Sequence, residues 1–217
     1  MNYLIYHPKR CEIIINEKKV YVDNFEGNQD PYLWNVQFLH SFCHISQISV
    51  NIGDTIFWVS SEKSNEFKNL LCDCVFVIED KIYWNNSNHI NVDDSLVDNI
   101  NCFEHHYKWH SQHIFTKRKR YTLKANMYKS FQPQNSQEQL IDILPILNNL
   151  NISTENLVNK ISMNKSGKIS MNTRPFKLDK KISDELYNEI YKNSTFKIKG
   201  IDLNDIYPKN KKLQYTN

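Results

Sequence analysis

Apolar runs dominate the first two thirds of the chain. Residues 2–7 open with apolar and aromatic side chains, and residues 11–23 contain two short β-branched runs. A Gly-Asp pair precedes a further run at about 55–60, and an almost unbroken apolar run covers 70–78. This pattern predicts a strand in each place, a hairpin at 11–23 and a strand buried on both faces at 70–78.

Short polar interruptions predict the turns between these strands. Residues 16–19 separate the two runs of the hairpin, and Glu79 with Asp80 precedes Ile82, Tyr83 and Trp84. A further strand is predicted at 120–128, where side chains alternate. The apolar face of that strand comprises Tyr121, Leu123, Ala125 and Met127, and the polar face comprises Arg120, Thr122, Lys124, Asn126 and Tyr128.

Helical spacing replaces alternation after residue 135. Leucines and isoleucines recur three and four residues apart, and Ser136, Ser153 and Ser183 each precede such a segment as a candidate N-cap. Pro145 predicts a kink in the first helix. Strands followed by helices indicate an α+β protein, which we divide into a β domain at 1–135 and a helical extension at 136–217.

Composition narrows the class of protein. The chain has 217 residues, of which 40% are hydrophobic, and no apolar run approaches the roughly 20 residues that span a bilayer. We therefore expect a soluble, cytoplasmic protein without a membrane partner. Its five cysteines predict buried free thiols rather than a disulfide framework, and its four scattered glycines argue against phosphate-binding loops. No cofactor is predicted.

The net charge of +3 conceals a segregation along the chain. Residues 1–104 carry 7 basic and 15 acidic side chains, whereas residues 105–137 carry 7 basic side chains and no acid. Clustered cations interleaved with aromatic rings favour nucleic acid, DNA or RNA, as the partner. The predicted phosphate contacts are Lys117, Arg118, Lys119, Arg120, Lys124 and Lys129. The alternatives are an edge strand made basic to discourage aggregation, a basic strand that pairs with the acidic N-terminal region, or a module that docks an acidic protein partner.

Histidines in the same stretch leave an enzyme as an alternative. His106, His110 and His113 could hold a metal ion for a hydrolase or nuclease, because three imidazoles leave an open zinc position. However, no HExxH motif, Cys pair or adjacent carboxylate set completes such a site. Whether the chain is an enzyme stays open, and the balance favours a binding protein.

Tryptophans at strand ends predict a ligand pocket. Trp58 ends one predicted strand shortly before Ser60 and Ser61, and Trp84 ends another beside two asparagines. Indole rings next to small polar groups suit a pocket that stacks and hydrogen-bonds a flat heterocycle. Trp109 and Tyr121 are further candidates for stacking. The alternative is that the tryptophans are core residues.

Two segments carry a resemblance to a known superfamily. "NIGDTIFWVSS" and "LLCDCVFVIEDKIYW" resemble the PUA-like barrels, particularly the EVE and ASCH branches, over about residues 48–131. The resemblance implies a small, mostly antiparallel β-barrel that binds RNA or modified DNA bases without catalysis, with Trp58, Ser60 and Ser61 in the pocket wall. We therefore expect a nucleic-acid-binding protein that recognises a modified or flipped base, with its choice of DNA or RNA and its oligomeric state open.

Overall fold

The structure, a computed structural model, describes residues 1–6, 10–22, 49–61, 68–83, 121–161 and 175–203. The strands are β1 (Asn2–Tyr6), β2 (Cys11–Ile15), β3 (Lys18–Val22), β4 (Thr55–Ser60), β5 (Leu71–Tyr83), β6 (Tyr121–Ala125), β7 (Gln132–Gln134), β8 (Phe176–Leu178) and β9 (Phe196–Ile198). The helices are α1 (Leu144–Asn149), α2 (Thr154–Ile161), α3 (Lys180–Asn193) and a 3-10 helix (Gly200–Leu203). None of these helices has both the length and the hydrophobicity to cross a bilayer.

A five-stranded sheet in the order β6-β5-β4-β1-β8 is the centre of the fold. Strands β1 and β4 run parallel, and the other neighbours in the sheet are antiparallel. The β2–β3 hairpin and the β7–β9 pair form two smaller sheets. The α+β class predicted from the sequence is therefore confirmed. Among the described strands, β6 and β8 are the two edges of the central sheet, so this sheet is open and no closed barrel is seen.

Alternation along the central strands divides the core into two clusters. The hairpin-face cluster includes Tyr3, Ile5, Ile56, Trp58, Cys74 and Phe76 from the sheet, with Ile15 and Val20 from the hairpin. The helix-face cluster includes Leu4, Phe57, Val59 and Val75 from the sheet, with Leu147, Leu157, Leu186 and Ile190 from the helices. All of β4 and residues 72–78 of β5 are buried, so the prediction of a strand buried on both faces is confirmed.

The predicted hairpin is present, with a tighter turn than the four residues expected. Asn16 and Glu17 alone connect β2 to β3, with φ of 47° and 63°. Two consecutive positive φ values are typical of the type I′ turn, whose twist matches that of the strands. The Asn16 side chain donates to the carbonyl of Leu203 at 3.0 Å, which fixes the hairpin against the 3-10 helix.

Strand β5 also differs from its prediction. Glu79 and Asp80 were expected to form a turn, yet β5 is continuous through both residues. Its pairing with β6 passes from Ile78↔Ala125 to Asp80↔Lys124, so Glu79 is the extra residue of a β-bulge. A bulge takes up one polar residue without ending the strand, and this is why the turn prediction was wrong.

The first helix begins later than its predicted cap at Ser136. The Asn135 side chain accepts hydrogen bonds from the amides of Gln137 and Gln139 at 2.9 and 3.0 Å, so this segment forms an Asx-type turn. Helix α1 starts at Leu144, and Pro145 occupies its first turn, where a missing amide hydrogen has no cost. The predicted capping box and the predicted proline kink are both wrong.

The other two helices test the remaining cap predictions. Ser153 Oγ accepts from the amide of Asn156 at 3.2 Å, which confirms the cap of α2. Helix α3 is capped by Asp179, whose carboxylate accepts from the amide of Ile182 at 2.8 Å, so the predicted cap at Ser183 is wrong. The three helices and β8 come from the predicted extension at 136–217, and they share the helix-face cluster with strands of the predicted β domain.

Candidate functional site

A bulge in β5 turns a carboxylate into the protein. Strand β4 pairs Trp58 with Cys74 and Val59 with Cys72, so Asp73 is an extra residue opposite that step. The bulge also explains why Cys72 lies in the helix-face cluster while Cys74, two residues later, lies in the hairpin-face cluster. Bulges often re-aim a side chain beside a functional site, and here the side chain is an aspartate inside an apolar strand.

Asp73 forms a buried ion pair with Arg10. Arg10 Nε donates to Asp73 Oδ2 at 2.8 Å, and each side chain is only 3% exposed. The hydroxyl of Ser60 donates to the other carboxylate oxygen, Oδ1, at 2.7 Å. Both oxygens therefore accept a hydrogen bond, as a buried carboxylate requires. The three residues come from the start of β2, the bulge of β5 and the end of β4.

Two buried glutamines extend this polar network into the hairpin. Gln132 Nε2 donates to the carbonyls of Asp73 and Tyr21, each at 2.9 Å, and its Oε1 accepts from the amide of Tyr21 at 2.8 Å. Gln134 Nε2 donates to the carbonyl of Lys19 at 2.8 Å. These bonds join β7 to β3 and so hold the hairpin at a fixed position relative to the bulge.

A pocket of about 190 Å³ opens onto this network. We call it the Arg10 pocket; its walls include the polar residues Arg10, Glu12, Ser60 and Gln139 and the apolar residues Leu71 and Leu140. It lies at one end of the sheet, where β4 ends at Ser60 and β5 begins at Leu71. Because β1 runs parallel to β4, the carboxyl end of β1 lies at the same end of the sheet.

Two tyrosines near this end of the sheet have perturbed hydroxyls. Burial raises the pKa of Tyr6, whose hydroxyl is 3.0 Å from Ser61 Oγ, and the charge of Asp73 raises it further. Tyr21 also lines the Arg10 pocket, and its hydroxyl donates to the carbonyl of Glu138 at 3.0 Å. Burial, with the charge of Glu12 next, raises the pKa of Tyr21 to about 12. Both phenols are therefore neutral hydrogen-bonding groups near pH 7.

The two cysteines beside Asp73 are poorly reactive. Cys72 and Cys74 are free and fully buried. Burial raises the pKa of both thiols, and the neighbouring Asp73 charge acts in the same direction. Since the thiolate is the reactive form, neither residue is suited to nucleophilic chemistry here. Cys11 is also free but only partly buried, so the prediction of buried free thiols is confirmed for Cys72 and Cys74 and only in part for Cys11.

The predicted pocket wall is brought together only in part. Ser60 lines the Arg10 pocket, and Ser61 is buried against Tyr6. Trp58 is 0% exposed in the hairpin-face cluster, and a base could stack on it only if that cluster opened. Trp84 and Trp109 lie outside the described residues, as does the side chain of Tyr121, whose backbone begins β6.

The predicted basic strand is described only in part, and its described part, β6, begins at the end of β5 that is far from this pocket. Lys117, Arg118, Lys119 and Arg120 lie outside the described residues, as does the side chain of Lys124, while Lys129 is exposed. β6 begins where Tyr121 pairs with Tyr83, whereas Ser60 pairs with Leu71 at the other end of β5. The 12 steps from Leu71 to Tyr83 correspond to about 40 Å of strand. The start of β6 and the Arg10 pocket thus lie at opposite ends of β5.

The predicted metal site is not tested. His106, His110 and His113 lie outside the described residues. Within the part of the chain that the structure describes, no group of three histidine, cysteine or acidic side chains is placed to hold a metal ion.

The sequence interpretation missed Arg10, Asp73 and Gln132. One signal was available: Asp73 is a lone charge within the buried run at 70–78, and buried charges are rare without a partner or a function. Its partner Arg10 is 63 residues away, so the pairing itself depends on the topology of the sheet.

Comparison with known proteins assigns no family. No protein-family model, no curated protein and no solved structure matches the chain. The resemblance to PUA-like barrels therefore stays a prediction, and the Arg10 pocket with its surroundings is the part of the structure that bears on function.

Proposed function

We propose that this chain binds nucleic acid and holds one unpaired base in the Arg10 pocket. The observation that carries the proposal is the pocket itself. Its lining combines hydrogen-bonding side chains with two leucines, and one of its lining residues, Arg10, forms a buried ion pair with Asp73. Proteins that bind an extruded base hold its ring between apolar or aromatic side chains and form hydrogen bonds to its polar edge. The Arg10 pocket offers both kinds of contact.

The hydrogen-bonding groups of the pocket suit a neutral heterocycle. The Gln139 amide supplies donors, while Glu12 and the Gln139 oxygen supply acceptors. Ser60 gives its proton to Asp73, and its oxygen retains acceptor capacity. Because Asp73 neutralises Arg10 and Lys19 lies 3.6 Å from the carboxylate of Glu12, the pocket has no unbalanced positive charge and favours a neutral polar ring over an anion.

The size of the pocket limits the ligand to a single ring system. Its volume of about 190 Å³ lies below the roughly 300–1,000 Å³ typical of pockets for drug-sized ligands. Leu71 and Leu140 provide apolar surface for the faces of a flat ring. A single base with the rest of its strand outside the pocket fits these limits.

The charge of the chain supports a polyanion as the carrier of that base. Residues 105–137 hold seven basic side chains and no acid, and several cations on one surface are what phosphate neutralisation requires. The PUA-like resemblance also implies base recognition. Its barrel stays a prediction, since the described strands form an open order.

Gln139→Ala tests the pocket, with Gln137→Ala as its matched control. Both glutamines are exposed in the same turn and both give their amides to Asn135 Oδ1, but only Gln139 lines the pocket. Binding is measured by fluorescence anisotropy on single strands that differ only in one central nucleotide, including an abasic one. We expect Gln139→Ala to weaken binding of the preferred base about 5- to 150-fold and Gln137→Ala to have no effect.

Two results would contradict the proposal. If the abasic strand binds as tightly as every intact strand, the pocket holds no base. If affinity does not fall as salt rises, phosphates contribute nothing and the partner is not a nucleic acid.

A further inference from the structure

Two tyrosines of α3 form a rigid aromatic surface on the helix side of the sheet. Tyr187 and Tyr191 are four residues apart, which places them on the same side of the helix. Their ring centroids are 6.2 Å apart and their planes differ by 13°. Each ring also meets the ring of Phe131 edge-on, with centroids 5.9 and 5.6 Å apart. Phe131 is fully buried, so it anchors both tyrosines to the core.

Part of this aromatic surface faces solvent. Tyr191 is 46% exposed, and Tyr128, in the turn after β6, is 67% exposed. The hydroxyl of Tyr187 donates to the carbonyl of Lys129 at 3.1 Å, which holds that turn against α3. Since Phe131 contacts the rings of both Tyr187 and Tyr191, a ligand that packs against these two rings costs the protein little conformational entropy.

Two lysines accompany these rings. Lys197 Nζ is 4.4 Å from the centroid of the Tyr191 ring and donates to the carbonyl of Ser194 at 2.7 Å. Lys129 is exposed next to Tyr128. We define the tyrosine surface as Tyr128, Lys129, Tyr187, Tyr191 and Lys197.

These two lysines lie outside α3, and their charges differ in setting from those of lysines on α3. Lys180, Lys181 and Lys192 each lie within 4 Å of a carboxylate on the same helix. Among the residues that the structure describes, no carboxylate forms an ion pair with Lys129 or Lys197. The cations beside the rings can thus meet an anionic partner without first breaking one of the ion pairs seen among the described residues.

We propose that a single-stranded nucleic acid binds across the tyrosine surface, with one base stacked on Tyr128, another packed against the exposed part of the Tyr191 ring, and phosphates near Lys197 and Lys129. Exposed aromatic rings together with cations are the usual means of binding single strands without sequence preference. A duplex hides its base faces, so it cannot use the rings. The inference rests on the proposed function and adds the class of nucleic acid and a second binding surface.

The tyrosine surface and the Arg10 pocket lie on opposite sides of one short segment. Phe131 contacts the tyrosines, whereas the next residue, Gln132, donates to the carbonyl of Asp73 on the hairpin side. The two sites can therefore be altered separately. The tyrosine surface supplies affinity for any single strand, and the pocket supplies preference for a base.

Tyr191→Ala and Tyr191→Phe form the main pair of test variants. The probes are a labelled oligothymidylate and an oligouridylate of about 15 nucleotides and a blunt DNA duplex of equal length. We expect Tyr191→Ala to weaken binding of the single strands about 5- to 150-fold and Tyr191→Phe, which keeps the ring, to bind like the wild type. Duplex binding should not change.

A charge reversal provides the second test. Lys197→Glu should weaken binding of the single strands and lower the slope of log affinity against log salt. Lys181→Glu is the matched control, because it makes the same change of charge near the opposite end of α3 and should have no effect on affinity.

The outcomes separate this inference from the proposed function. If Tyr191→Ala binds oligothymidylate as tightly as wild type, or if Tyr191→Phe is as weak as Tyr191→Ala, the tyrosine surface is not a stacking site, whatever Gln139→Ala shows. If Gln139→Ala has no effect while Tyr191→Ala weakens binding, the pocket proposal fails and the surface stands. Binding of poly-glutamate that Tyr191→Ala abolishes, with no binding of oligonucleotides, would overturn the inference in favour of an acidic protein partner.

Discussion

The two faces of the five-stranded sheet are covered by different physical means. The helix face is packed by apolar side chains of three helices against the sheet. The hairpin face has its own apolar cluster, but the hairpin is also attached through Arg10, Asp73 and two buried glutamines. Burial of apolar area is non-directional, whereas hydrogen bonds and ion pairs fix distances and angles.

This difference explains where the candidate site lies. Apolar packing tolerates small shifts, so it stabilises a fold without specifying a polar geometry. The hydrogen-bonded side holds the Arg10 pocket, because there the polar groups must keep fixed partners to remain buried. The helix face presents its functional candidates on its outer surface, where Phe131 anchors the two tyrosines. The predictions below test whether the faces depend on different interactions.

Asp73→Ala should have the largest effect on stability. It removes the carboxylate from a buried ion pair whose guanidinium is 3% exposed, and breaking a buried pair by removing one partner costs about 3–5 kcal/mol. Urea unfolding of the variant and wild type measures the difference in the free energy of unfolding. The double variant Arg10→Met with Asp73→Leu is the control, since replacing a whole buried pair with apolar residues is often close to neutral. A loss below about 1 kcal/mol for Asp73→Ala would show that the pair does not hold the hairpin face together.

The second prediction compares changes that keep side-chain volume on the two faces. Gln132→Leu removes four hydrogen bonds: two to the backbone of Tyr21, one to the carbonyl of Asp73 and one from the side chain of Gln134. We expect a loss of about 1–3 kcal/mol, because the Asp73 carbonyl stays buried while water reaches the partly buried Tyr21 groups. Leu186→Met, in the helix-face cluster, should cost less than about 1.5 kcal/mol. Equal losses in urea unfolding would mean that the faces do not differ in this way.

Strands and their buried faces were predictable because burial alternates with the pleat. Leu123 and Ala125 are buried in β6, as the alternation of that segment predicted, but β6 ends at Ala125, and Met127 of the predicted strand lies in a turn. The starts of the helices were less predictable, because a serine that precedes a helical pattern competes with nearby Asn and Asp side chains for the role of N-cap. Asn135 and Asp179 prevailed over Ser136 and Ser183 through hydrogen bonds that depend on where the chain turns.

The candidate site was only partly predictable for a related reason. Ser60 was placed in a pocket from its position at a strand end, and that position follows from local sequence. The Arg10–Asp73 pair depends on a bulge and on a contact across 63 residues, which no local pattern contains. The pair of Tyr187 and Tyr191 was visible as a helical spacing, but which side of α3 faces Phe131 is set by tertiary packing.

The smallest effect concerns the hydroxyl of Tyr21, which lies on the hairpin face. Its pKa rises from 10 to about 12 in the folded state, through burial first and then the charge of Glu12. The folded state therefore binds this proton more tightly than the unfolded state, so the stabilisation is complete below pH 10 and is lost as pH rises towards about 12.

Tyr21→Phe should lose a nearly constant amount of stability below pH 10, because the bond to the Glu138 carbonyl is gone. Above pH 10 the difference from wild type should shrink. Urea unfolding at intervals across this range measures it, with Tyr128→Phe as the exposed control. If the difference in the free energy of unfolding between Tyr21→Phe and wild type stays constant to pH 12, folding does not raise the pKa of Tyr21.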